Sequence, residues 1–284
     1  MASSKKLKEK TIQELLQFSI INIDKPSGPT SFSISDFVRK SLNLSKTSHF
    51  GTLDPQVTGV LPVALSRACR LNEYFMHRDK VYVGIMRLHE EIPDKTLKEH
   101  MQQFIGKITQ LPPVRSRVKR EERIREVKTF KFLEREGKDV LFETQVQAGT
   151  YIRKLIHDLG ENTGGAHMLE LRRIKASIFP ESQSINLYRF EEAVEEYKKG
   201  SEEKLKSILI PAESCILEVM PKVEIKEFSL KSILTGKPLM KSDIQSSSLP
   251  DQEIFAVFHK GRFIAIMKKS LEGDILARAQ FVLN

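Results

Sequence analysis

Cysteine is nearly absent from this chain, with 2 among 284 residues. Cys69 and Cys215 stand far apart and lack any CxxC or Cys/His ligand spacing, so neither a zinc site nor a disulfide framework is indicated. Both are expected to be buried thiols. Long apolar runs are missing too: the longest, within VLPVAL, is interrupted by Pro62 and is far too short to cross a bilayer. A membrane partner is therefore not expected. The N-terminus is polar and Lys-rich and offers no secretory signal, and no self-similar repeat is seen at solenoid periods. Acids are the minority charge, 37 Asp and Glu against 46 Lys and Arg, for a formal net charge of +9. That balance raises the expectation of a polyanionic partner above the average, a solvated basic surface being the plain alternative. What is present, 40% hydrophobic and 29% charged residues, excludes disorder, and the length is comfortable for two domains.

After a lysine-rich start, Ile12, Leu15 and Leu16 share one face of a short helix. Ile20 to Ile23 reads as a strand that stops at Lys25-Pro26-Ser27-Gly28-Pro29, a turn by composition. Thr30 and Ser31 then start a helix in which Ile34, Phe37, Val38 and Leu42 recur at helical spacing. Val81 to Leu88 is a strand with Val81, Val83 and Ile85 alternating against Tyr82, Gly84 and Met86, and Val140 to Val146 reads the same way. Past the charged helix around Phe190 to Lys206, Pro211 and Pro221 punctuate the chain and short strands take over. A boundary falls near residue 218, and residues 20–218 are expected to have their own core.

The most informative run is HFGTLDPQVTGVLP at 49–62. Pro55 pushes Asp54 out of the helical region, while Gly51 and Gly59 permit tight paths on either side. An isolated Asp-Pro is more often a helix-capping loop than an active carboxylate. At 148–156, AGTYIRKLI places Ile152, Leu155, Ile156 and Leu159 in one buried stripe. Arg153 falls off that stripe, free to face a cleft. Beside a carboxylate, such a guanidinium would hold it ionised and fix its direction; alone, it would be a surface ion pair of little worth. Tyr82 is either sheet packing or a platform for a base. Between 111 and 128, Arg115, Arg117, Lys119, Arg120, Arg123, Arg125 and Lys128 outnumber Glu121, Glu122 and Glu126. Pro112 and Pro113 make that run a loop or arm, suited to phosphate contact where a plain solvated face is the common alternative.

Together these stretches resemble the TruB family of RNA pseudouridine synthases, from about Ile20 to the C-terminus. The resemblance implies an α+β fold, with a mixed, largely antiparallel central sheet, flanking helices and a small β-barrel-like PUA domain. It implies an N-terminal extension over 1–19 packing on the PUA domain, a catalytic domain over 20–218 and a PUA RNA-binding domain over 219–284. Asp54 of the Gly-Thr-Leu-Asp-Pro turn would be the catalytic residue, Arg153 its partner, and Tyr82 the residue that stacks on the target uracil and is placed for late deprotonation at C5. His49 would lie near the flipped nucleotide. The run containing Arg115, Arg117, Lys119 and Arg120 resembles the family's thumb loop. Lys25 with Pro26, and Leu171 with Arg172 and Arg173, match two further motifs expected to support structure and RNA contact.

The C-terminal likeness is weaker, since a Gly usual after the apolar strand is replaced around Met267-Lys268. Phe50 also departs from a position more often small. GVLPVAL, the PPVRSRVKR arm and the absence of a Thr-Asp-Thr insertion after Glu91 point to the dyskerin type, the catalytic subunit of H/ACA guide ribonucleoproteins. That type implies a guide RNA, a substrate rRNA or tRNA and small H/ACA core proteins as partners, with no cofactor or metal. It also implies a cytoplasmic setting if archaeal-like and a nucleolar one if eukaryotic. A stand-alone tRNA pseudouridine synthase and a non-catalytic scaffold remain the alternatives.

Overall fold

The computed structural model of the chain describes residues 10–112, 119–246 and 248–284. Ten strands form one mixed sheet: β1 (Ser19–Lys25), β2 (Thr47–His49), β3 (Thr58–Leu65), β4 (Lys80–Leu88), β5 (Gly106–Gln110), β6 (Arg123–Glu136), β7 (Asp139–Val146), β8 (Ala166–Ala176), β9 (Phe179–Pro180) and β10 (Ile210–Pro211). Their order is β10-β1-β3-β8-β4-β7-β6-β5, with β2 beside β3 and β9 beside β8. Neighbours run antiparallel except β3 and β8, which pair in parallel at Thr58 with Arg172 and Gly59 with Arg173. A second sheet holds β11 (Lys222–Glu224), β12 (Leu239–Met240), β13 (Ile254–His259), β14 (Arg262–Glu272) and β15 (Ile275–Val282) in the order β11-β13-β14-β15-β12.

The period-2 geometry of strands distributes side chains to two cores. On β1, Ile21 and Ile23 join the helices Ser31–Ser41, Ile152–Glu161 and Leu187–Lys198 in one apolar cluster, while Ile20 points to another. Thr30 starts the first of these helices by accepting a hydrogen bond from the Ser33 amide at 3.0 Å, the usual means of satisfying a free N-terminal donor. On β4 the more buried face is Lys80, Tyr82, Gly84, Met86 and Leu88, with Val81, Val83 and Ile85 half-buried. Gly84 accounts for this arrangement, since a Cβ there would lie 2.7 Å from the Phe142 ring. The missing side chain is the space that Phe142 fills.

The first cluster lies wholly within residues 12–209, a core of the kind expected for 20–218, but a second one is shared with the C-terminal sheet. Phe18, Ile20, Phe50, Val60 and Phe75 share a cluster with Ala256, Phe258, Phe263, Ile266 and Phe281 of the second sheet. Phe18 stacks on Phe263 with ring centroids 5.4 Å apart and touches Phe281 at 6.1 Å. Of the N-terminal stretch, the helix Ile12–Gln17 turns Ile12, Leu15 and Leu16 into the first cluster. Phe50 is 1% exposed and stacks on Phe75 at 4.9 Å. A large ring at that position anchors the strand leading into the Asp54 turn.

Candidate active site

The Asp54 turn is clamped from both sides. Ser31, at the start of its helix, donates from Oγ to the Leu53 carbonyl (2.9 Å) and accepts from the Leu53 amide (2.7 Å). Lys25 donates from Nζ to the carbonyls of Pro26 (2.8 Å), Pro55 (2.9 Å) and Val57 (2.8 Å). The Val57 amide closes the turn on the Asp54 carbonyl at 3.0 Å. Gly51 and Gly59 take φ of +104° and +101°, a region that side chains resist. At Gly59 a Cβ would also sit 2.2 Å from the Arg173 carbonyl oxygen. The Asp54 side chain projects from this clamped turn and is half exposed.

Its partner is Arg153, whose guanidinium Nη2 pairs with Asp54 Oδ2. Arg153 is the second residue of the helix Ile152–Glu161, which buries Ile152, Leu155, Ile156 and Leu159 and leaves Arg153 outside the stripe. A helix N-terminus disfavours a cation and favours an anion, so the Asp54 carboxylate is attracted both by the guanidinium and by the helix end. With side chains 56% and 49% exposed, the pair contributes direction more than stability. The helix start is tied to the arm as well: Gln110, at the end of β5, donates to the Tyr151 carbonyl (3.2 Å) and accepts from the Tyr151 amide (2.9 Å). No sequence pattern singles out Gln110.

Tyr82 is 9% exposed and belongs to the first apolar cluster. Its neighbour in register on β8 is Arg173, whose charge interacts with the Tyr82 phenol. Arg173 in turn donates to the Gly51 carbonyl (3.0 Å). Tyr82 is thus linked through one guanidinium to the turn that carries Asp54. His49 lies within reach of Thr52 (Nε2 to Oγ1, 3.3 Å) and Ser35 (Nδ1 to Oγ, 3.4 Å). Burial first, and the Arg173 charge second, push the His49 pKa down, which keeps the imidazole neutral at pH 7.

Two of the residues expected to contact RNA are buried. Lys25 is 0% exposed and Arg173 1% exposed; both direct their donors to main-chain carbonyls inside the protein. Arg172 is half-buried and paired with Asp24 (2.9 Å) and with Glu181, so its charge is already matched. Lys119 and Arg120 are exposed beyond β5, with Lys119 facing Glu121 at 2.8 Å. Arg115 and Arg117 lie outside the described residues.

A sequence model for the TruB family pseudouridylate synthase N-terminal domain matches residues 39–152, and one for the tRNA pseudouridylate synthase B C-terminal domain matches residues 153–217. The chain is 40% identical over 281 residues to the probable tRNA pseudouridine synthase B of Pyrococcus furiosus, covering 97% of this chain and 79% of that protein. It is 39% identical over 268 residues to the protein of the same name from Nanoarchaeum equitans, covering 94% and 74%. The chain belongs to the TruB family of pseudouridine synthases. It is an isomerase of that family, and the Asp54 turn and Arg153 lie within the two matched regions. Among solved structures, it superposes on a chain of a Cbf5-Nop10-Gar1 complex with a TM-score of 0.87 at 37% identity, over 97% of this chain and 88% of that one. A chain of an H/ACA RNP bound to a substrate RNA containing 2′-deoxyuridine gives 0.86 at 35% identity, over 98% and 88%. Both likenesses extend through the second sheet, beyond the part that the family models match. No helix among the described residues is long and apolar enough to cross a membrane.

Proposed function

We propose that this TruB-family enzyme converts uridine to pseudouridine in rRNA or tRNA as the catalytic subunit of an H/ACA guide ribonucleoprotein, with Asp54 as its catalytic carboxylate. The observation that carries the chemical part is the Asp54–Arg153 pair in a turn whose main chain is held by Lys25 and Ser31. A carboxylate so directed can attack the ribose C1′ or the base C6, or favour a glycal-type path. In each case the C1′–N1 bond breaks, a C1′–C5 bond forms and one proton leaves C5 while N1 gains one. Electrons balance within the uridine, so this isomerisation calls for no redox partner. Rate enhancement comes from extraction of the base, its positioning and a charged site sheltered from water. Tyr82 is the platform for the flipped uracil and the acceptor of the C5 proton, with neutral His49 beside the nucleotide.

The guide-dependent part rests on likeness across nearly the whole chain to subunits of Cbf5-Nop10-Gar1 and H/ACA RNP assemblies. Residues 20–218 serve as the catalytic domain and 219–284 as a PUA module that holds guide RNA, with small core proteins of the same kind as further partners. Archaeal relatives favour a cytoplasmic setting. The name tRNA pseudouridine synthase B carried by those relatives supports a second reading, direct action on tRNA without a guide. Tritium release from RNA containing [5-³H]uridine separates the two. Guide-dependent action predicts turnover of an rRNA-like target only with a matching hairpin guide and core proteins, and equal turnover of bare tRNA with or without them would favour the stand-alone enzyme.

A further inference from the structure

Arg173 is a buried guanidinium that lacks a carboxylate partner among the described residues. It is 1% exposed, and its Nε and Nη2 donate to the carbonyls of Val60 (2.8 Å) and Gly51 (3.0 Å), one on each side of the Asp54 turn. The side chain beside it on β4 is Tyr82, its neighbour in register, with which it interacts electrostatically. Among the described residues no Asp or Glu forms an ion pair with it. The adjacent Arg172 makes the contrast clear, since that side chain is matched by both Asp24 and Glu181.

Leaving a cation buried and unmatched is costly, and its neighbours register the field. Lys80, Lys25 and His49 all have their pKa pushed down, by burial first and with the Arg173 charge among the further causes. In Lys25 the Asp54 charge acts in the opposite direction. The guanidinium cannot retreat either, because Gly59 lies against its main chain and a Cβ at Gly51 would already touch its Nη1 at 3.5 Å. A fixed cation with one ionisable oxygen beside it is placed to stabilise that oxygen as an anion.

We propose that Arg173 is a positioning residue for C5 deprotonation: it aims the Tyr82 phenol at the base and balances the phenolate form that accepts the proton. The inference rests on the assignment of Tyr82 given above. In the step itself the C1′–C5 bond is already formed, and the C5–H bond then breaks. Its electron pair closes the C5–C6 double bond, the C6–N1 π pair moves onto N1, which takes a proton from water, and the C5 proton joins the Tyr82 oxygen. Loss of that proton to water afterwards restores the phenolate beside Arg173. The other charged groups near this pair are Lys80 on the strand of Tyr82, Lys25 on β1, and the Asp54–Arg153 pair at the turn; His49, on β2, is the neighbouring titratable base.

Arg173→Lys keeps the charge and loses the planar fork. Its single-turnover rate on guide-bound RNA should fall about tenfold, which corresponds to about 1.4 kcal/mol of barrier. The ratio of rates for [5-¹H]uridine and [5-²H]uridine substrates should rise above the wild-type ratio, because proton removal becomes slow. A merely structural role would lower the rate without raising that ratio, and this result would overturn the proposal, as would an unchanged rate. If Arg173→Lys does not fold, Tyr82→Phe leaves both carbonyl bonds of Arg173 in place and should show the same rise. If a variant shows no turnover, RNA stalled with C1′ joined to C5 and H5 retained supports the assignment, and unreacted uridine contradicts it. Wild-type turnover by Asp54→Asn would instead bring down the site reading as a whole, a result distinct from any of these.

Discussion

Beneath the Asp54 turn, Lys25 and Arg173 are enclosed and donate to the carbonyls of residues 26, 51, 55, 57 and 60. At the end of the β5–β6 hairpin, Lys119 and Arg120 stand in solvent. The residue types are the same, and accessibility alone assigns them different work. A buried cation must be hydrogen-bonded where it sits, so it shapes the main chain around it. An exposed one keeps its charge available to whatever polyanion approaches. Basic residues close to a nucleic-acid enzyme's active site therefore divide into those that build the site and those that meet the substrate.

The largest effect expected is at the residue these cations serve. Asp54→Asn should abolish tritium release while RNA affinity changes by no more than about 1 kcal/mol, since the amide keeps shape and loses the charge and nucleophilicity. Binding lost together with activity would mean that the carboxylate grips RNA. Lys25→Met tests the building role: three carbonyls lose their donor, and thermal unfolding should report a loss on the order of 3 kcal/mol, together with slower single turnover. A variant as stable as wild type would show the clamp to be dispensable.

Changing Arg115, Arg117, Lys119 and Arg120 to Ala tests the opposite role. Stability should stay within about 0.5 kcal/mol, while the slope of log affinity against log salt should become shallower by roughly 0.7–0.9 for each phosphate contact removed. An unchanged slope would make the arm a protein-binding element. A separate test concerns Lys80, 5% exposed, whose ammonium donates to the Met76 and Arg78 carbonyls and whose pKa is pushed down to about 8, mainly by burial. Between pH of about 8 and 10.5 the folded state has released this proton and the unfolded state still holds it. The penalty of burying the charge is therefore in full force below about 8 and is relieved as pH rises through that window. Urea titrations of wild type and Lys80→Met should diverge there, with the variant lacking the rise.

Much of this was legible in the sequence for physical reasons. Glycine and proline restrict the backbone locally, so the path around Asp54 could be read from Gly51, Pro55 and Gly59. Helical periodicity separated Arg153 from its buried stripe. Burial of charged side chains was not legible: Lys25 and Arg173 look like any other basic residues until the carbonyls that receive them, up to 122 positions away, are brought together. The more buried face of β4 was hidden for a similar reason, since it depends on Phe142 entering the gap at Gly84. The shared core was missed because Pro221 and the change to short strands look like a linker, whereas contacts such as Phe18 with Phe263 join distant parts of the chain.

That aromatic contact bears on how the molecule comes apart. Domains linked only by a strap melt separately and swing freely, but a large apolar seam couples their fates. With Phe18, Phe263 and Phe281 interleaved across it, the two sheets should denature in a single calorimetric transition. Heat or denaturant acting on the outer edge of the smaller sheet would then reach the strand that leads into the Asp54 turn at the same midpoint. Thermal inactivation and loss of guide attachment should accordingly follow one curve.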